Sequence, residues 1–208
     1  MDIKAELLQY NVSRETFEKL ATFVELLKEW NAKINLVSKN SLDEVWTRHV
    51  LDSAQLIKYI PEKTKYLLDI GSGAGFPAIV LAIIMQEKNP SAKWVLAESI
   101  TKKTVYLNDV CTKLELTNVH IENNRVENLI LNNIDIVTAR AVASLETLCS
   151  YVYGLKCRDV KCLFLKGKTY GDELQAAYQK WRFGHKVYQN LYSEDGVILE
   201  IDNIRKVR

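Results

Sequence analysis

The sequence predicts an α/β fold, in which a doubly wound, seven-stranded sheet carries a small N-terminal helical cap. From Lys65 onward, short apolar runs alternate with segments of helical periodicity, which is the pattern of βα units and of a parallel sheet. The last two apolar runs follow each other without a helix between them. This final pair predicts an antiparallel hairpin at one edge of the sheet.

The N-terminal quarter is predicted to be helical, so residues 1–62 are assigned to the cap and residues 63–208 to the sheet domain. Ser13 is expected to cap a first helix. A second helix is expected to open at Ser41, with Glu44 three residues later completing a capping box.

Strands and helices alternate along most of the sheet domain. The predicted strands are Tyr66–Ile70, Trp94–Ala97, Val119–Glu122, Ile134–Ala139, Cys162–Leu165, Val187–Tyr192 and Val197–Ile201. The predicted helices are Pro77–Gln86, Lys102–Leu114, Leu145–Tyr153 and Asp172–Trp181. Ligands of such sheets bind at the carboxyl ends of the strands, so polar residues there are the candidates for a site.

Composition sets limits on the class of protein. The 208 residues suit one domain with a small appendage, and 48% hydrophobic with 26% charged residues is ordinary for a globular protein. The net charge of +2 neither indicates nor excludes a nucleic-acid partner. Neither a membrane-spanning run nor the apolar core of a signal peptide is apparent, so we expect a cytoplasmic protein. The four cysteines form no C-x-x-C pair, and no metal site is expected.

The segment Asp69–Pro77 is the most informative motif. Its glycines, Gly71, Gly73 and Gly75, recur at every second position directly after a strand, and a helix follows. The spacing is not that of a P-loop or of the G-x-G-x-x-G dinucleotide fingerprint. It resembles the nucleoside-binding loop of S-adenosylmethionine (SAM)-dependent methyltransferases, whose sheet is seven-stranded and Rossmann-like. The alternative is a glycine-rich turn in another α/β protein. Asp69 could orient this loop, cap its N–H groups or hold a ligand's ammonium group through water.

Charged residues follow the second and third strands. Glu98 could accept both hydroxyls of a ribose, or could be a solvated acid. Arg125 and Glu127 flank Val126 at the end of the third strand, where adenine would lie in such a fold and Val126 could pack on the base. The alternative for the two charged residues is a surface ion pair.

Basic residues end the fourth and fifth strands. Arg140 lies among small residues that would let a substrate approach closely, and Lys166 ends the next strand in the same way. An arginine that ends an apolar strand is costly to bury unless it is paired or functional. Both are therefore candidate catalytic residues.

The end of the fourth strand also limits the chemistry. Thr138–Ala141 is not the [N/D/S]-P-P-[Y/F] motif of enzymes that methylate exocyclic amines. Methylation at pyrimidine C5 needs a cysteine nucleophile there, and neither Cys149 nor Cys162 is so placed. A target with a free lone pair remains, such as guanine N7, which needs no general base. Catalysis would then consist of alignment and electrostatics, with an arginine and a lysine near the O6 edge or nearby phosphates.

Taken together, these motifs resemble one family nearly throughout the chain: the bacterial 16S rRNA guanine-N7 methyltransferases (the RsmG or glucose-inhibited division protein B family). The motifs are Trp30–Leu36, Arg48–Ser53, Gly71–Pro77, Glu98-Ser99 with Lys102-Lys103, Arg125–Glu127, Arg140–Ala143 and Leu165–Gly167. From about Tyr170 on, the match is weak.

The resemblance implies the cofactor, the substrate and the essential residues. It implies SAM bound by Gly71, Gly73, Phe76, Val126, Glu127 and Arg140. Arg125, Arg140 and Lys166 are the family's essential basic positions. The implied partner is 16S rRNA or the small ribosomal subunit, with guanine 527 of the 530 loop as the expected target. We expect a monomer with no membrane partner.

Two further features involve polar residues of the helical cap and basic residues that are spread along the chain. His49 and Asp52 share a helix face, where they would shape the site rather than transfer protons, or would form only a surface hydrogen bond with Arg48. A basic rim for phosphates could form from seven residues, each of which could also be a solvated charge: Lys33, Lys39, Arg48, Lys102, Lys103, Lys166 and Lys168. The alternative functions are methylation of a small molecule or protein, non-catalytic RNA binding or assembly, and NAD-dependent oxidoreduction.

Overall fold

The computed structural model describes residues 2–157 and 159–207, and its centre is one seven-stranded sheet. The strands are β1 (Tyr66–Ile70), β2 (Lys93–Ala97), β3 (Val119–Glu122), β4 (Ile136–Arg140), β5 (Lys161–Lys166), β6 (Trp181–Gln189) and β7 (Val197–Lys206). Their order is β3-β2-β1-β4-β5-β7-β6, with β1 to β5 parallel. β7 runs antiparallel to both β5 and β6. The predicted doubly wound sheet with a terminal hairpin is confirmed.

Helices cover the sheet through two hydrophobic clusters. The helices are α1 (Ile3–Leu8), α2 (Arg14–Asn31), α3 (Lys39–Asp43), α4 (Asp52–Ala54), α5 (Ala78–Lys88), α6 (Thr101–Lys113), α7 (Leu145–Gly154) and α8 (Tyr170–Tyr178). One cluster contains side chains of α1, α2, α5 and α6, and the other contains side chains of α7 and α8. Across residues 2–157 and 159–207, none of the helices combines the length and the apolar character that crossing a membrane requires.

The N-terminal helices pack onto the sheet domain. Ser13 caps α2 as the sequence predicts, since its Oγ accepts a hydrogen bond from the Thr16 N–H at 3.1 Å. Phe23 of α2 lies 5.3 Å from the ring of Phe76, at the start of α5. The residues of α5 from Ala78 to Met85 are all buried, as expected for a helix that is apolar on every side. The predicted cap and the sheet domain therefore share one core.

The segment before β1 differs from the predicted second helix. Ser38, not Ser41, is the N-cap, and its Oγ accepts a hydrogen bond from the Ser41 N–H at 3.3 Å. The helix after it is short, and the chain then forms a π-helix over Trp46–Leu51, the single turn of α4 and a 3₁₀-helix over Gln55–Tyr59. One apolar stripe runs through all these turns, so its periodicity could not separate them.

The C-terminal elements also differ in their bounds. α8 ends at Tyr178, and Trp181, which was predicted to end that helix, opens β6. The strand predicted over Val187–Tyr192 is shifted, because β6 begins at Trp181 and ends at Gln189, and β7 continues from Val197 to Lys206 instead of ending at Ile201. β6 is an edge strand with most of its residues exposed or half-buried, so its first half lacks the apolar alternation from which a strand is recognised.

The order of the strands creates a crevice between β1 and β4. These strands are adjacent, but β1 leads towards β2 on one side and β4 towards β5 on the other. The loops that leave their carboxyl ends therefore diverge, which is where ligands of doubly wound sheets bind. Asp69 lies opposite Thr138 in this pair of strands, and Arg140 ends β4 two residues later.

Candidate active site

The glycine loop after β1 has a left-handed backbone. Gly71, Gly73 and Gly75 have φ values of 66°, 51° and 89°. A Cβ atom on Gly71 would lie 2.7 Å from Cγ2 of Val142, in the loop after β4, so a side chain there would collide with that loop. A Cβ atom on Gly73 would meet nothing closer than the Gly71 carbonyl oxygen at 3.6 Å. The middle of the loop is therefore open to a ligand.

Glu98 fixes the shape of this loop from the end of β2. Its Oε2 accepts a hydrogen bond from the Gly73 N–H at 2.9 Å, and its Oε1 accepts one from the Ile100 N–H at 2.8 Å. The side chain is buried, and each oxygen keeps a second lone pair. Glu98 is thus held in one orientation, with acceptor capacity left for the ribose hydroxyls that the sequence analysis assigns to it.

Asp69 is fully buried beneath the loop. Its Oδ1 accepts a hydrogen bond from Oγ1 of Thr138 at 2.6 Å, whereas its Oδ2 has no partner. Burial raises the pKa of Asp69 to about 7, against the opposing effect of the hydrogen bond from Thr138. The N–H group of Gly73 is bound by Glu98 rather than by Asp69. Asp69 therefore keeps a free acceptor for a ligand.

The residues after β3 lie in two environments. Val126 is buried and belongs to the same hydrophobic cluster as Leu68 and Ala97, whereas Arg125 and Glu127 are exposed. This arrangement suits an apolar contact to a base at Val126 and polar contacts beside it, as the sequence analysis expects.

The guanidinium of Arg140 contacts the π-helix of the N-terminal segment and the residue that follows it. Its Nη2 donates to the carbonyl oxygen of Arg48 at 2.7 Å, and its Nη1 lies 3.2 Å from Oδ2 of Asp52. The Nη1 contact is an ion pair whose N–H groups are not aligned for a hydrogen bond. π-helical turns are rare and are frequently found at functional sites.

Asp52 links Arg140 to the loop between β6 and β7. Its Oδ1 accepts hydrogen bonds from Nδ2 of Asn190 at 2.5 Å and from Nε2 of Gln55 at 3.1 Å. Burial raises the pKa of Asp52, while the charge of Arg140 and these two donors oppose the rise. Asp52 therefore pairs with Arg140 and does not form the surface hydrogen bond with Arg48 that was the alternative in the sequence analysis. Asn190 and Gln55 carried no signal in the sequence.

His49 lies between the glycine loop and Arg140. Its ring stacks on Phe76 with 4.7 Å between centroids and 18° between planes. Both ring nitrogens are buried and neither has a hydrogen-bond partner. Burial, with smaller effects from the charges of Arg140 and Arg48, lowers the pKa of His49 to about 3. The imidazole is therefore neutral at pH 7.

Lys166 is anchored within the protein. Its Nζ donates to the carbonyl oxygen of Ala143 and to Oε2 of Glu173, both at 2.7 Å, and its side chain is only 8% exposed. Oε2 of Glu173 also accepts a hydrogen bond from the Leu145 N–H at 2.7 Å. Lys166 therefore holds the loop after β4 and has one N–H left to offer a ligand.

A groove of about 930 Å³ opens beside these residues. Arg140 and Lys166 line it together, but Arg125 does not. Of the seven residues considered for a basic rim, only Arg48 and Lys166 belong to its lining, and the wall is more acidic than basic. Its acidic residues are Asp43, Glu44, Asp52, Glu173, Glu194 and Asp195.

The fold, with its left-handed loop after β1, is the one found in the class of SAM-dependent methyltransferases. A SAM-dependent methyltransferase from Aquifex aeolicus matches with a TM-score of 0.60 at 15% identity, covering 86% of this chain and 97% of that one. The structure of TYW2 from M. jannaschii in complex with AdoMet matches with a TM-score of 0.58 at 12% identity, covering 85% and 80%.

Within that class, the sequence identifies the family. The model of the family described as rRNA small subunit methyltransferase G matches residues 16–198, and this chain belongs to that family. Two proteins named ribosomal RNA small subunit methyltransferase G are similar along almost their whole length. The one from Cereibacter sphaeroides is 39% identical, covering 97% of both chains. The one from Rickettsia akari is 41% identical, covering 94% of this chain and 98% of its own. The chain is a methyltransferase.

Gly73→Asp is expected to abolish SAM binding without unfolding the domain. The new Cβ meets open space, and aspartate tolerates a left-handed φ, but its carboxylate would occupy the open middle of the loop beside Glu98. Calorimetric titration with SAM and thermal unfolding measure the two effects. Gly171→Asp, which adds the same group to an open position of α8, is the control. Unchanged SAM affinity in Gly73→Asp would contradict the loop assignment.

The neutrality of His49 predicts a pH-dependent stability. The unfolded chain protonates His49 below about pH 6.5, but the folded protein resists protonation down to about pH 3, so stability is lost as the pH falls through this range. Between pH 7 and pH 4 the loss is on the order of 3 kcal/mol. His49→Phe should lack it, as urea unfolding at both pH values would measure.

The difference between wild type and His49→Phe isolates this residue. The raised pKa of Asp69 acts in the opposite direction, because it favours the folded state at low pH, but Asp69 is present in both proteins. Equal losses of stability in the two proteins would show that His49 is not held neutral.

Proposed function

We propose that this protein transfers the methyl group of SAM to N7 of a guanine in 16S rRNA, with guanine 527 of the 530 loop as the target. The family and the names of its relatives support an rRNA substrate. The observation that carries the proposal is the position of Arg140. It ends β4 beside the glycine loop that receives SAM, and it also lines the open groove. A base in that groove would therefore lie next to the cofactor.

The chemistry at N7 fits the side chains present. N7 carries a lone pair and no proton, so the reaction requires alignment of N7, methyl and sulfur but no general base. SAM supplies the methyl group as a sulfonium. Cys149 and Cys162 are buried thiols whose pKa values are raised by burial, which argues against a cysteine nucleophile. Because N7 carries no proton, the reaction does not require the neutral, buried His49 to act as a general base.

The basic residues divide the remaining work. Arg140, with unused N–H groups on Nη1, would orient the cofactor and the O6 edge of the base. Lys166 would hold the loop after β4 and offer its remaining N–H to the substrate. Arg125, exposed at the end of β3, would meet RNA phosphate or the adenine end of SAM.

The residues of the glycine loop and the two adjoining strand ends would bind the rest of the cofactor. They are Asp69, Gly71, Gly73, Gly75, Phe76, Glu98, Val126 and Glu127.

The charge of the groove favours entry of a base over entry of the RNA backbone. Six carboxylates face the groove or its rim, and phosphates would be repelled from them. Guanine instead presents N–H donors on its Watson–Crick edge, which carboxylates accept. The target nucleotide would have to leave its stack to enter. Because one chain builds the whole groove, we propose that the protein acts as a monomer, in the cytoplasm where its rRNA substrate is made.

Methyl transfer from labelled SAM should test the reaction. The substrates are 30S subunits and free 16S rRNA from cells that lack this activity, and the RNA is digested to nucleosides afterwards. We expect the label in 7-methylguanosine, at a single position. Label in another nucleoside would exclude N7. SAM binding without any transfer to RNA would favour a small-molecule or protein acceptor, or a non-catalytic RNA-binding role.

Arg140→Ala should reduce kcat/KM by on the order of 100-fold, the usual effect of removing a charged group that orients a reaction.

Lys166→Ala should reduce the rate less and should also lower the melting temperature, because Glu173 loses its ion-pair partner. Arg14→Ala and Lys180→Ala remove exposed surface ion pairs and serve as controls with normal rates. Full activity in Arg140→Ala would remove that residue from the site.

A further inference from the structure

Unpaired buried polar atoms are concentrated around the glycine loop. Seven buried side-chain nitrogen and oxygen atoms lack a hydrogen-bond partner in the described part of the chain, and four of them belong to the site: Nδ1 and Nε2 of His49, Oδ2 of Asp69 and Nη1 of Arg140, whose one contact is the ion pair with Asp52. Such atoms are rare because an unmade hydrogen bond in a protein interior is costly. Their concentration at one place indicates that a ligand supplies the missing partners.

These groups are adjacent in the fold. Thr138, which donates a hydrogen bond to Asp69, lies two residues before Arg140 on β4. Arg140 donates in turn to the carbonyl oxygen of Arg48, the residue before His49. His49 in turn stacks on Phe76 of the glycine loop. The unpaired atoms therefore border the same end of the SAM site.

The unpaired atoms offer both donors and acceptors. Nη1 of Arg140 donates, Oδ2 of Asp69 can accept, and a neutral imidazole has one N–H and one free lone pair. Burial, with smaller effects from the charges of Arg140 and Arg48, keeps His49 neutral. The amino-acid end of SAM carries a carboxylate and an ammonium group, which require one set of donors and one set of acceptors. Arginine is the natural partner of the carboxylate.

A purely structural role does not account for the imidazole. A phenylalanine would stack on Phe76 equally well without two buried nitrogens that lack partners. The nitrogens therefore cost stability in the free protein and must be compensated elsewhere.

We propose that His49 is a further SAM-binding residue, whose imidazole nitrogen accepts a hydrogen bond from the ammonium group of the cofactor, while Arg140 binds the carboxylate. This inference rests on the SAM site of the proposed function. The SAM site would then be lined by the π-helical turn of the N-terminal segment as well as by the ends of the strands.

His49→Phe tests the contact by calorimetry with two ligands. S-Adenosylhomocysteine has the amino-acid end of SAM, and 5′-methylthioadenosine lacks it. We expect the variant to bind S-adenosylhomocysteine 10- to 100-fold more weakly, as for a lost hydrogen bond to a charged group, and to bind 5′-methylthioadenosine as the wild type does. Its melting temperature should be unchanged or higher, because two unpaired buried nitrogens are removed. A structural role predicts a lower one.

Matched variants separate the ammonium from the carboxylate. The decarboxylated analogue of S-adenosylhomocysteine keeps only the amine, so His49→Phe should weaken its binding as much as that of the parent, whereas Arg140→Ala should not. Trp181→Phe removes an unpaired buried nitrogen far along the chain, at the start of β6, and should change neither affinity. His49→Asn restores a neutral acceptor and should bind S-adenosylhomocysteine more tightly than His49→Phe.

Two outcomes would overturn the inference while leaving the SAM site intact. One is wild-type affinity of His49→Phe for S-adenosylhomocysteine. The other is an equal loss of affinity for both ligands with a lowered melting temperature, which would show that the ring acts by packing on Phe76. Failure of the wild type to bind S-adenosylhomocysteine would overturn the site and the inference together.

Discussion

One buried positive charge organises the candidate site. The guanidinium of Arg140, at the end of β4, is only 20% exposed, and a charge in that position is stable only when it is paired. Its partners come from outside the parallel sheet, as the carbonyl oxygen of Arg48 and the carboxylate of Asp52. Asp52 is held in turn by Gln55 and Asn190. The N-terminal segment and the β6–β7 loop therefore complete the site, and neither is an independent appendage to the sheet.

A second constraint joins the loops that leave β1 and β4. Val142 lies so close to Gly71 that no side chain fits between them. The residue before it, Ala141, has a φ of 53°, which is unusual for a residue with a Cβ atom. The loop that receives the cofactor and the loop that borders the groove are thus packed against each other. Lys166 holds the second loop by its bond to the Ala143 carbonyl oxygen. A displacement of one loop would therefore displace the other.

The parallel strands and the residues at their ends could be predicted because each strand is a continuous apolar run that stops at a polar residue. Glu98 and Arg140 are examples. The network around them could not be predicted. Gln55 and Asn190 are 135 residues apart, and no local pattern indicates that they meet. The π-helix was missed because its apolar stripe continues that of the helix before it. The first part of β6 was missed because that segment of the edge strand lacks a buried face.

The movement of positive charge in the proposed reaction accounts for the acidic lining of the groove. The methyl group leaves a sulfonium and arrives at a neutral nitrogen, so the positive charge moves from the cofactor onto the guanine. Carboxylates that line the groove, such as Glu173, Glu194 and Asp195, would stabilise that charge as it develops. Carboxylates that face the base would therefore favour transfer in the forward direction.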